Sequence, residues 1–235
     1  DAVEVASGQL PNFMNQVRQT EANWIGFSLT MPLKEEVLKV ADQIDPLAKQ
    51  INSANTLIPT IDGWYATSTD VAGFIWALAA NEVSDFETIQ IIGAGGTARA
   101  AAAAIDAPGR KITVISRSSS RESDMRNAVT MSKLEFTDWS SKELSADLVI
   151  NTTPKNAADN FKGNHGILFE SLYEPWPTKL ASTWQGKVID GLDLLVHQAV
   201  DQLHLMTGMV IDRTKMAKIL RVAGEAELKD RNSLA

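Results

Sequence analysis

The chain has 235 residues and a formal net charge of −7, because 22 Lys and Arg face 29 Asp and Glu. This acidic balance argues against nucleic-acid binding, and 44% hydrophobic residues supply enough apolar surface for a core. The chain has no cysteine, which excludes disulfides, thiolate metal sites and cysteine nucleophiles. No apolar run approaches the roughly 18 residues that a membrane-spanning helix needs. We therefore expect no membrane partner and a cytoplasmic location.

Short strands and helices are predicted over the first 82 residues. The clearest signal is Asp62-Gly63 between two apolar runs, which favours the tight turn of a β-hairpin. Pro32 suits the first turn of a helix, and Glu35 and Glu36 suit its positive N-terminal end. The predicted elements are, in chain order, strand 2–5, helix 10–20, strand 24–30, a helix over 32–41, the hairpin over 55–67 and a helix over 71–80.

The second half has a different pattern, in which apolar strands alternate with helical stretches. Predicted strands cover 88–92, 111–115, 147–150, 166–169 and 187–190, and predicted helices cover 97–105, 194–206 and 213–229. Such alternation implies a parallel sheet with helices on both faces. We therefore expect an α/β protein with a boundary near residue 82, followed by a doubly wound parallel-sheet domain over 83–207.

A glycine-rich turn lies between the first of these strands and the helix that follows it. Gly93-Ala-Gly-Gly-Thr-Ala98 therefore has the context of a dinucleotide-binding (Rossmann) fingerprint. Gly93 permits the tight turn, Gly95 lets backbone N–H groups approach a pyrophosphate, and the small Ala98 lets the helix pack closely. The alternative is a plain glycine-rich turn without a ligand. The residues expected to contact the cofactor here are Gly93, Ala94, Gly95, Gly96 and Thr97.

The end of the next predicted strand distinguishes NAD from NADP. An NAD site places Asp or Glu there, roughly 20 residues after the first glycine, to hold the ribose hydroxyls. This chain instead has two arginines and several hydroxyls, which suit a 2′-phosphate because guanidinium forms charge-assisted hydrogen bonds to phosphate. We therefore expect NADP, although both arginines also suit a solvated surface. The expected contacts are Ser116, Arg117, Ser118 and Arg121, together with Thr152 and Gly191.

Four separate segments resemble the motifs of the shikimate dehydrogenase family. They are Gly26-Phe-Ser-Leu-Thr-Met-Pro-Leu-Lys34, Ala54-Asn-Thr-Leu57, Ser68-Thr-Asp-Val-Ala-Gly-Phe74 and Gly191-Leu-Asp-Leu-Leu-Val-His-Gln-Ala199. The glycine turn, the Ser116–Arg121 segment and Tyr173-Glu-Pro175 fall between them in the family's order. The resemblance extends from Ala2 to about Gly224, and such an ordered set of motifs is highly specific.

The resemblance implies a substrate domain over residues 1–82, to which residues 208–235 return, and an NADP-binding domain between them. It implies the reversible reduction of 3-dehydroshikimate to shikimate with NADPH, without a metal. Lys34 and Asp70 would act as one proton-handling pair at the reacting hydroxyl. Asn55 would hydrogen-bond a ring hydroxyl. The residues that would contact the substrate or close the cleft are Thr30, Tyr173 and Gln198.

Each of these residues has an alternative explanation. Taken alone, Lys34 beside two glutamates is typical of a solvated charge, and Asp70 is typical of a helix N-cap. Asn55 also suits a role in stabilising the hairpin, and Gln198 suits an exposed helix face. The histidines at positions 197 and 204 lie on one predicted helix face, but no third ligand is evident, so we expect no metal site.

The chain departs from the family pattern at three places. Ser28 and Ser68 replace family asparagines, and each keeps a small polar group. The family's first strand carries an S-x-S motif that binds the substrate carboxylate, and no such segment precedes Asp1, so we expect a fragment.

Two other functions compete with this interpretation. One is that of a relative acting on quinate or an aminated shikimate analogue with NAD, and the other is that of a catalytically silent NADPH-binding module. The expected assembly is a monomer or a homodimer.

Overall fold

The computed structural model describes residues 1–20, 22–163 and 165–234, which form two β-sheets with helices packed on their faces. The strands of the first sheet are β1 (Phe27–Ser28), β2 (Gln43–Ile44), β3 (Thr56–Thr60) and β4 (Gly63–Thr67). Their order is β1-β3-β4-β2. β3 and β4 form the predicted antiparallel hairpin, in which Leu57 lies opposite Ala66.

The second sheet contains six strands and every neighbouring pair is parallel. The strands are β5 (Thr88–Ile92), β6 (Lys111–Ser116), β7 (Lys133–Asp138), β8 (Leu148–Asn151), β9 (Ile167–Glu170) and β10 (Lys187–Ile189). Their order, β10-β9-β8-β5-β6-β7, confirms the predicted doubly wound sheet. The direction of winding reverses between β5 and β8. Sheets of this kind bind ligands in the crevice at the carboxyl ends of such strands.

Nine helices accompany the sheets in the described residues. They are α1 (Leu10–Gln19), α2 (Leu33–Glu36), α3 (Pro46–Gln50), α4 (Asp70–Ala80), α5 (Gly96–Ala104), α6 (Glu122–Ala128), α7 (Lys179–Thr183), α8 (Gly191–Thr207) and α9 (Arg213–Leu234). Short 3-10 turns follow α2, over Val37–Lys39, and precede α6, over Ser119–Arg121. Within the described ranges, no helix combines the length and the apolar character needed to span a bilayer.

The pleat of the parallel strands divides the core between the two faces of the larger sheet. Ile89 and Ile91 of β5 pack on one face with residues of α4, α5 and α8, whereas Ile92 packs on the other face. The alanines of α5 are buried, so this helix can lie close to the sheet. A separate core forms between α1 and the first sheet, with Met14 and Leu57 fully buried.

α8 links the two sheets. It packs against α4, contacts β3 of the first sheet and packs against α9. The contact with α9 is made by buried apolar residues, namely Leu192, Val196, Val200 and Ala217. Side chains on opposite sides of α8 therefore reach different layers of the molecule.

The structure corrects several predicted elements. Residues 2–5 are predicted as a strand, but they pair with no strand in the described chain, and residues 2–4 are exposed. The predicted strand 24–30 is reduced to β1, because Gly26 leaves the usual β region at φ +152°. Sequence analysis missed β7, a half-exposed edge strand with weak alternation, and also α3, where the side chain of Asp45 accepts a hydrogen bond from Ala48 N at 3.1 Å.

Candidate active site

The carboxyl ends of the parallel strands face the first sheet across a groove that contains two adjoining cavities. The lysine cavity, about 260 Å³, is lined by Lys34 and Asp70, and the glycine-turn cavity, about 390 Å³, is lined by Gly93 and Gly95. Four residues line both cavities: Met31, Thr152, Thr153 and Pro154. The two cavities therefore have room for two ligands in mutual contact.

Lys34 and Asp70 form an ion pair in the lysine cavity, with 2.7 Å between Nζ and Oδ2. Lys34 lies in the first turn of α2, and Asp70 is the first residue of α4. Their side chains are only 15% and 4% exposed, so neither is a solvated surface charge. Because an ammonium group has three donors, Lys34 can donate to a ligand oxygen while it stays paired with Asp70.

The side-chain amide of Asn55 holds the other oxygen of the Asp70 carboxylate. Its Nδ2 donates to Asp70 Oδ1 at 2.8 Å, and its Oδ1 accepts from Thr69 N at 2.8 Å. Its Nδ2 also lies 2.9 Å from Gln198 Oε1. Asn55 and Gln198 are both buried, so Gln198 does not belong to an exposed helix face. The network restricts the orientation of Asp70 and therefore the position of the Lys34 ammonium.

The remaining predicted substrate contacts, Thr30 and Tyr173, also line the lysine cavity. Two residues predicted to contact the cofactor, Thr97 and Gly191, line this cavity rather than the glycine-turn cavity. A Cβ at Gly191 would collide with the carbonyl group of Ser171. The start of α8 therefore needs a glycine to approach that segment so closely.

The glycine turn forms one wall of the glycine-turn cavity. Gly93 has φ +109°, and a Cβ there would lie 2.6 Å from Thr152 Oγ1. A Cβ at Gly95 would meet only Arg121 Nη1, at 3.8 Å, so the turn is open toward the cavity. No side chain of the described residues caps α5 at Gly95, and its first N–H groups can bind phosphate oxygens. Gly96 lines neither cavity and packs against Ser53 instead.

The two predicted phosphate ligands lie at the same cavity. Arg117 lies over the ring of Trp139, 4.7 Å from its centre, and Arg121 Nη1 donates to Glu35 at 2.6 Å. The serines that line this cavity are Ser116, Ser118 and Ser120. Among the described lining residues there is no carboxylate, so the donor set fits a 2′-phosphate better than free ribose hydroxyls.

Sequence analysis missed Arg99, whose side chain is completely buried. Its Nε donates to Ile51 O at 2.6 Å, and its Nη1 donates to Ala94 O at 3.1 Å. Its Nη2 donates to Glu35 Oε1 at 2.7 Å and to Asn52 O at 2.9 Å. This guanidinium therefore ties the glycine turn to the first half of the chain. The sequence feature that indicates a buried arginine is its position inside an alanine-rich helix that is predicted to pack against the sheet.

Glu35 lies between two arginines, Arg99 and Arg121. Burial by itself raises the pKa of Glu35, but the hydrogen bonds and charges of the two arginines outweigh burial and hold the pKa below its usual value. The side chain is therefore ionised at neutral pH. Sequence analysis assigned this residue only to the positive end of a helix.

A buried carboxyl group supports the segment that carries Tyr173. Glu170 accepts hydrogen bonds from Asn151 Nδ2 at 2.9 Å, Thr178 Oγ1 at 2.9 Å and Leu172 N at 3.2 Å. Burial raises the pKa of Glu170 above its usual value, and these hydrogen bonds offset part of that effect. Glu170 thus holds both ends of the 171–178 segment.

No group of three or more His, Cys, Asp or Glu side chains in the described part of the chain is placed to bind a metal ion. His197 is buried on α8, and His204 Nδ1 lies 2.7 Å from Met209 O. Neither histidine lines the lysine cavity or the glycine-turn cavity.

The chain is similar to a family model and to several known enzymes. Residues 1–57 match the family model for the shikimate dehydrogenase substrate binding domain. Shikimate dehydrogenase (NADP(+)) of Crocosphaera subtropica is 31% identical over 222 residues, which cover 84% of this chain and 77% of that protein. The structure of Mycobacterium tuberculosis shikimate dehydrogenase has a TM-score of 0.81 and 31% identity, covering 94% of this chain and 86% of that chain. Shikimate 5-dehydrogenase of Thermus thermophilus, in complex with NADP(H) and shikimate, has a TM-score of 0.76 and 26% identity, covering 93% and 85%.

The fold and the groove define an α/β protein of the dinucleotide-binding class, in which a doubly wound sheet faces a smaller sheet. The sequence identity to the relatives, and the share of both chains that the alignments cover, then specify the family. The chain belongs to the shikimate dehydrogenase family, which confirms the resemblance of the four sequence motifs.

Proposed function

We propose that the chain catalyses the reversible reduction of 3-dehydroshikimate to shikimate with NADPH, and is thus an oxidoreductase acting on a CH–OH group. One observation carries the proposal: the Lys34–Asp70 ion pair lies in a cavity that shares a wall with the glycine-turn cavity. Family membership supports the same reaction, because the relatives are named as NADP-dependent shikimate dehydrogenases.

The chemistry accounts for the ion pair. Reduction of a ketone leaves negative charge on its oxygen, so a cation beside that oxygen stabilises the transition state more than the ground state. We assign this role to Lys34, whose Nζ gives a proton to the oxygen in reduction and takes it back in oxidation. Asp70 orients the ammonium group and accepts a hydrogen bond from the reacting hydroxyl.

The other proposed substrate contacts surround this pair. Asn55, which already hydrogen-bonds Asp70, is placed to bind a ring hydroxyl. Further proposed contacts are Thr30, Tyr173 and Gln198, which line the same cavity. Because the molecule has a net charge of −7, an anionic substrate depends on local positive charge, which Lys34 supplies here.

The glycine turn and the N-terminus of α5 are proposed to hold the pyrophosphate of the cofactor, and Arg117 and Arg121 its 2′-phosphate. The cofactor, when bound, supplies or accepts the hydride. The remaining proposed contacts are Ala94, the backbone N–H of Gly96 in the first turn of α5, Thr97, Ser116, Ser118, Thr152 and Gly191. The open space at Gly95 and the guanidinium groups at the cavity support this assignment.

The proposed organisation is a substrate domain over 1–82, to which 208–235 return, and an NADP-binding domain over 83–207. Packing of α9 on α8, and of α8 on elements of both halves, supports a close association of these parts. A cytoplasmic location and a monomeric or homodimeric state complete the proposal. Cell fractionation and light scattering test these two points.

A steady-state screen tests the function. The chain is assayed with shikimate or quinate and with NADP or NAD, in all four pairings. We expect the highest kcat/KM for shikimate with NADP. A higher value for quinate with NAD would assign the chain to a quinate-oxidising relative. Binding of NADP without turnover of either acid would instead identify a catalytically silent module.

A further inference from the structure

The carboxylate of Glu35 holds the arginine that we assign to the 2′-phosphate. Glu35 Oε1 accepts a hydrogen bond from Arg121 Nη1 at 2.6 Å and one from Arg99 Nη2 at 2.7 Å. Arg121 lines the glycine-turn cavity, whereas Glu35 is absent from the described residues that line it. A negative charge therefore lies directly behind the guanidinium that faces the cavity.

The two arginines that contact Glu35 have different freedom. Arg99 is completely buried and donates to three carbonyl groups, so it cannot turn toward a ligand in the cavity. The side chain of Arg121 is 47% exposed, and Glu35 is its only ion-pair partner among the described residues. Arg99 thus fixes Glu35, and Glu35 occupies one nitrogen of Arg121. The other nitrogens of Arg121 stay available to a phosphate.

We propose that Glu35 is a specificity-determining residue, whose carboxylate weakens the binding of a 2′-phosphate at Arg121 and so limits the preference for NADP over NAD. The inference rests on the proposed NADP site. A phosphate and a carboxylate that share one guanidinium repel each other, and NAD lacks the 2′-phosphate that would share Arg121 with Glu35.

The position of Glu35 in the helix gives this contact a second consequence. Lys34 and Glu35 are neighbours in the first turn of α2, and Lys34 pairs with Asp70 in the lysine cavity. The same turn therefore provides the cation of the lysine cavity and the counter-charge behind the glycine-turn cavity. Removal of the Glu35 charge therefore affects the glycine-turn cavity without removing a group from the lysine cavity.

The variant Glu35→Gln tests the proposal, because glutamine keeps the shape and the acceptor oxygen but not the charge. Isothermal titration calorimetry without substrate measures the Kd of NADP and of NAD. We expect the Kd of NADP to fall about three- to tenfold and the Kd of NAD to stay unchanged. The matched control is Glu36→Gln, since Glu36 accepts from Ser7 and Gly8 instead and should change neither Kd.

A double-mutant cycle locates the effect. Arg121→Gln raises the Kd of NADP, and in that background Glu35→Gln should have no further effect on it. If Glu35→Gln does not fold, Glu35→Asp replaces it, because the shorter side chain draws the carboxylate away from Arg121 and should lower the Kd of NADP about twofold.

Two results overturn the inference alone: a Kd of NADP that does not fall in the Glu35 variant, and a Kd of NAD that falls by the same factor. A wild-type chain that binds neither nucleotide overturns the proposed function and the inference with it. The two failures are therefore distinguishable in the same experiment.

Discussion

The side-chain amides of Asn55 and Gln198 meet at 2.9 Å, although 143 positions separate them in the chain. Asn55 directly precedes β3 of the first sheet, and Gln198 lies in the middle of α8, after the last strand of the second sheet. The base of the lysine cavity is thus closed by buried polar groups. Such groups need partners, and so the network selects one arrangement of the two sheets.

Replacement of Asn55 by alanine should destabilise the fold. The change leaves Asp70 Oδ1 without its side-chain donor and Thr69 N without its acceptor, and unpaired buried groups cost about 1–3 kcal/mol. Urea denaturation measures the free energy of unfolding. Gln198→Ala should also destabilise, and the double variant should lose less than the sum, because both residues belong to one network. Strictly additive losses would show that the two amides act independently.

Replacement of Lys34 by alanine should abolish most of the activity. Loss of a positioned proton donor and cation typically lowers kcat by about 10²- to 10⁴-fold. The Kd of NADP should stay unchanged, because Lys34 does not line the glycine-turn cavity. Steady-state kinetics and calorimetry measure both quantities. The control is Lys39→Ala, an exposed lysine just after α2, which should retain wild-type kcat. Retention of most of the rate by Lys34→Ala would refute the catalytic assignment.

Replacement of Arg99 by leucine should destabilise the molecule strongly. The variant leaves the carbonyl groups of Ile51 and Ala94 without their donor and takes a partner from Glu35, so we expect a loss of about 3 kcal/mol or more. Chemical denaturation measures this loss. Arg18→Leu removes an arginine from a more exposed ion pair and should cost less than about 1 kcal/mol. Equal losses in the two variants would show that burial of Arg99 does not matter.

His197 should make the free energy of unfolding depend on pH. Burial lowers the pKa of His197 below its usual value of 6.5, although the charges of Asp193 and Asp201 act in the opposite direction. The folded state therefore binds this proton less readily than the unfolded state. The associated stability is fully present above about pH 6.5 and is lost as the pH falls through the lowered pKa of the folded state.

Urea denaturation at successive pH values tests this dependence. His197→Gln should lose less stability than the wild-type chain between about pH 7 and about pH 5, because glutamine does not bind the proton. His204→Gln is the matched control, because it removes an exposed histidine from the same helix. Parallel profiles for His197→Gln and the wild-type chain would contradict the prediction.

The separation of contacting residues along the chain explains which residues of the site could be predicted from the sequence. The glycine turn was found because Gly93 and Gly95 lie between a strand and a helix, which are local signals. Lys34 and Asp70 stood out only through motifs, since each residue alone resembles a surface charge or a cap. Glu35 was assigned only to a helix end, because its partner Arg99 lies 64 positions away.

Local sequence was sufficient for the hairpin at Asp62-Gly63, the strand–turn–helix at Gly93 and the parallel-sheet class, because backbone preferences and apolar periodicity act between neighbouring residues. Packing between the helices and strands of the two halves of the chain decided the rest. It brought Lys34 to Asp70, buried Arg99 and placed Glu35 behind Arg121. Contacts of this kind join residues far apart in the chain. They exist only once hydrophobic burial has fixed the relative positions of the helices and strands that carry them.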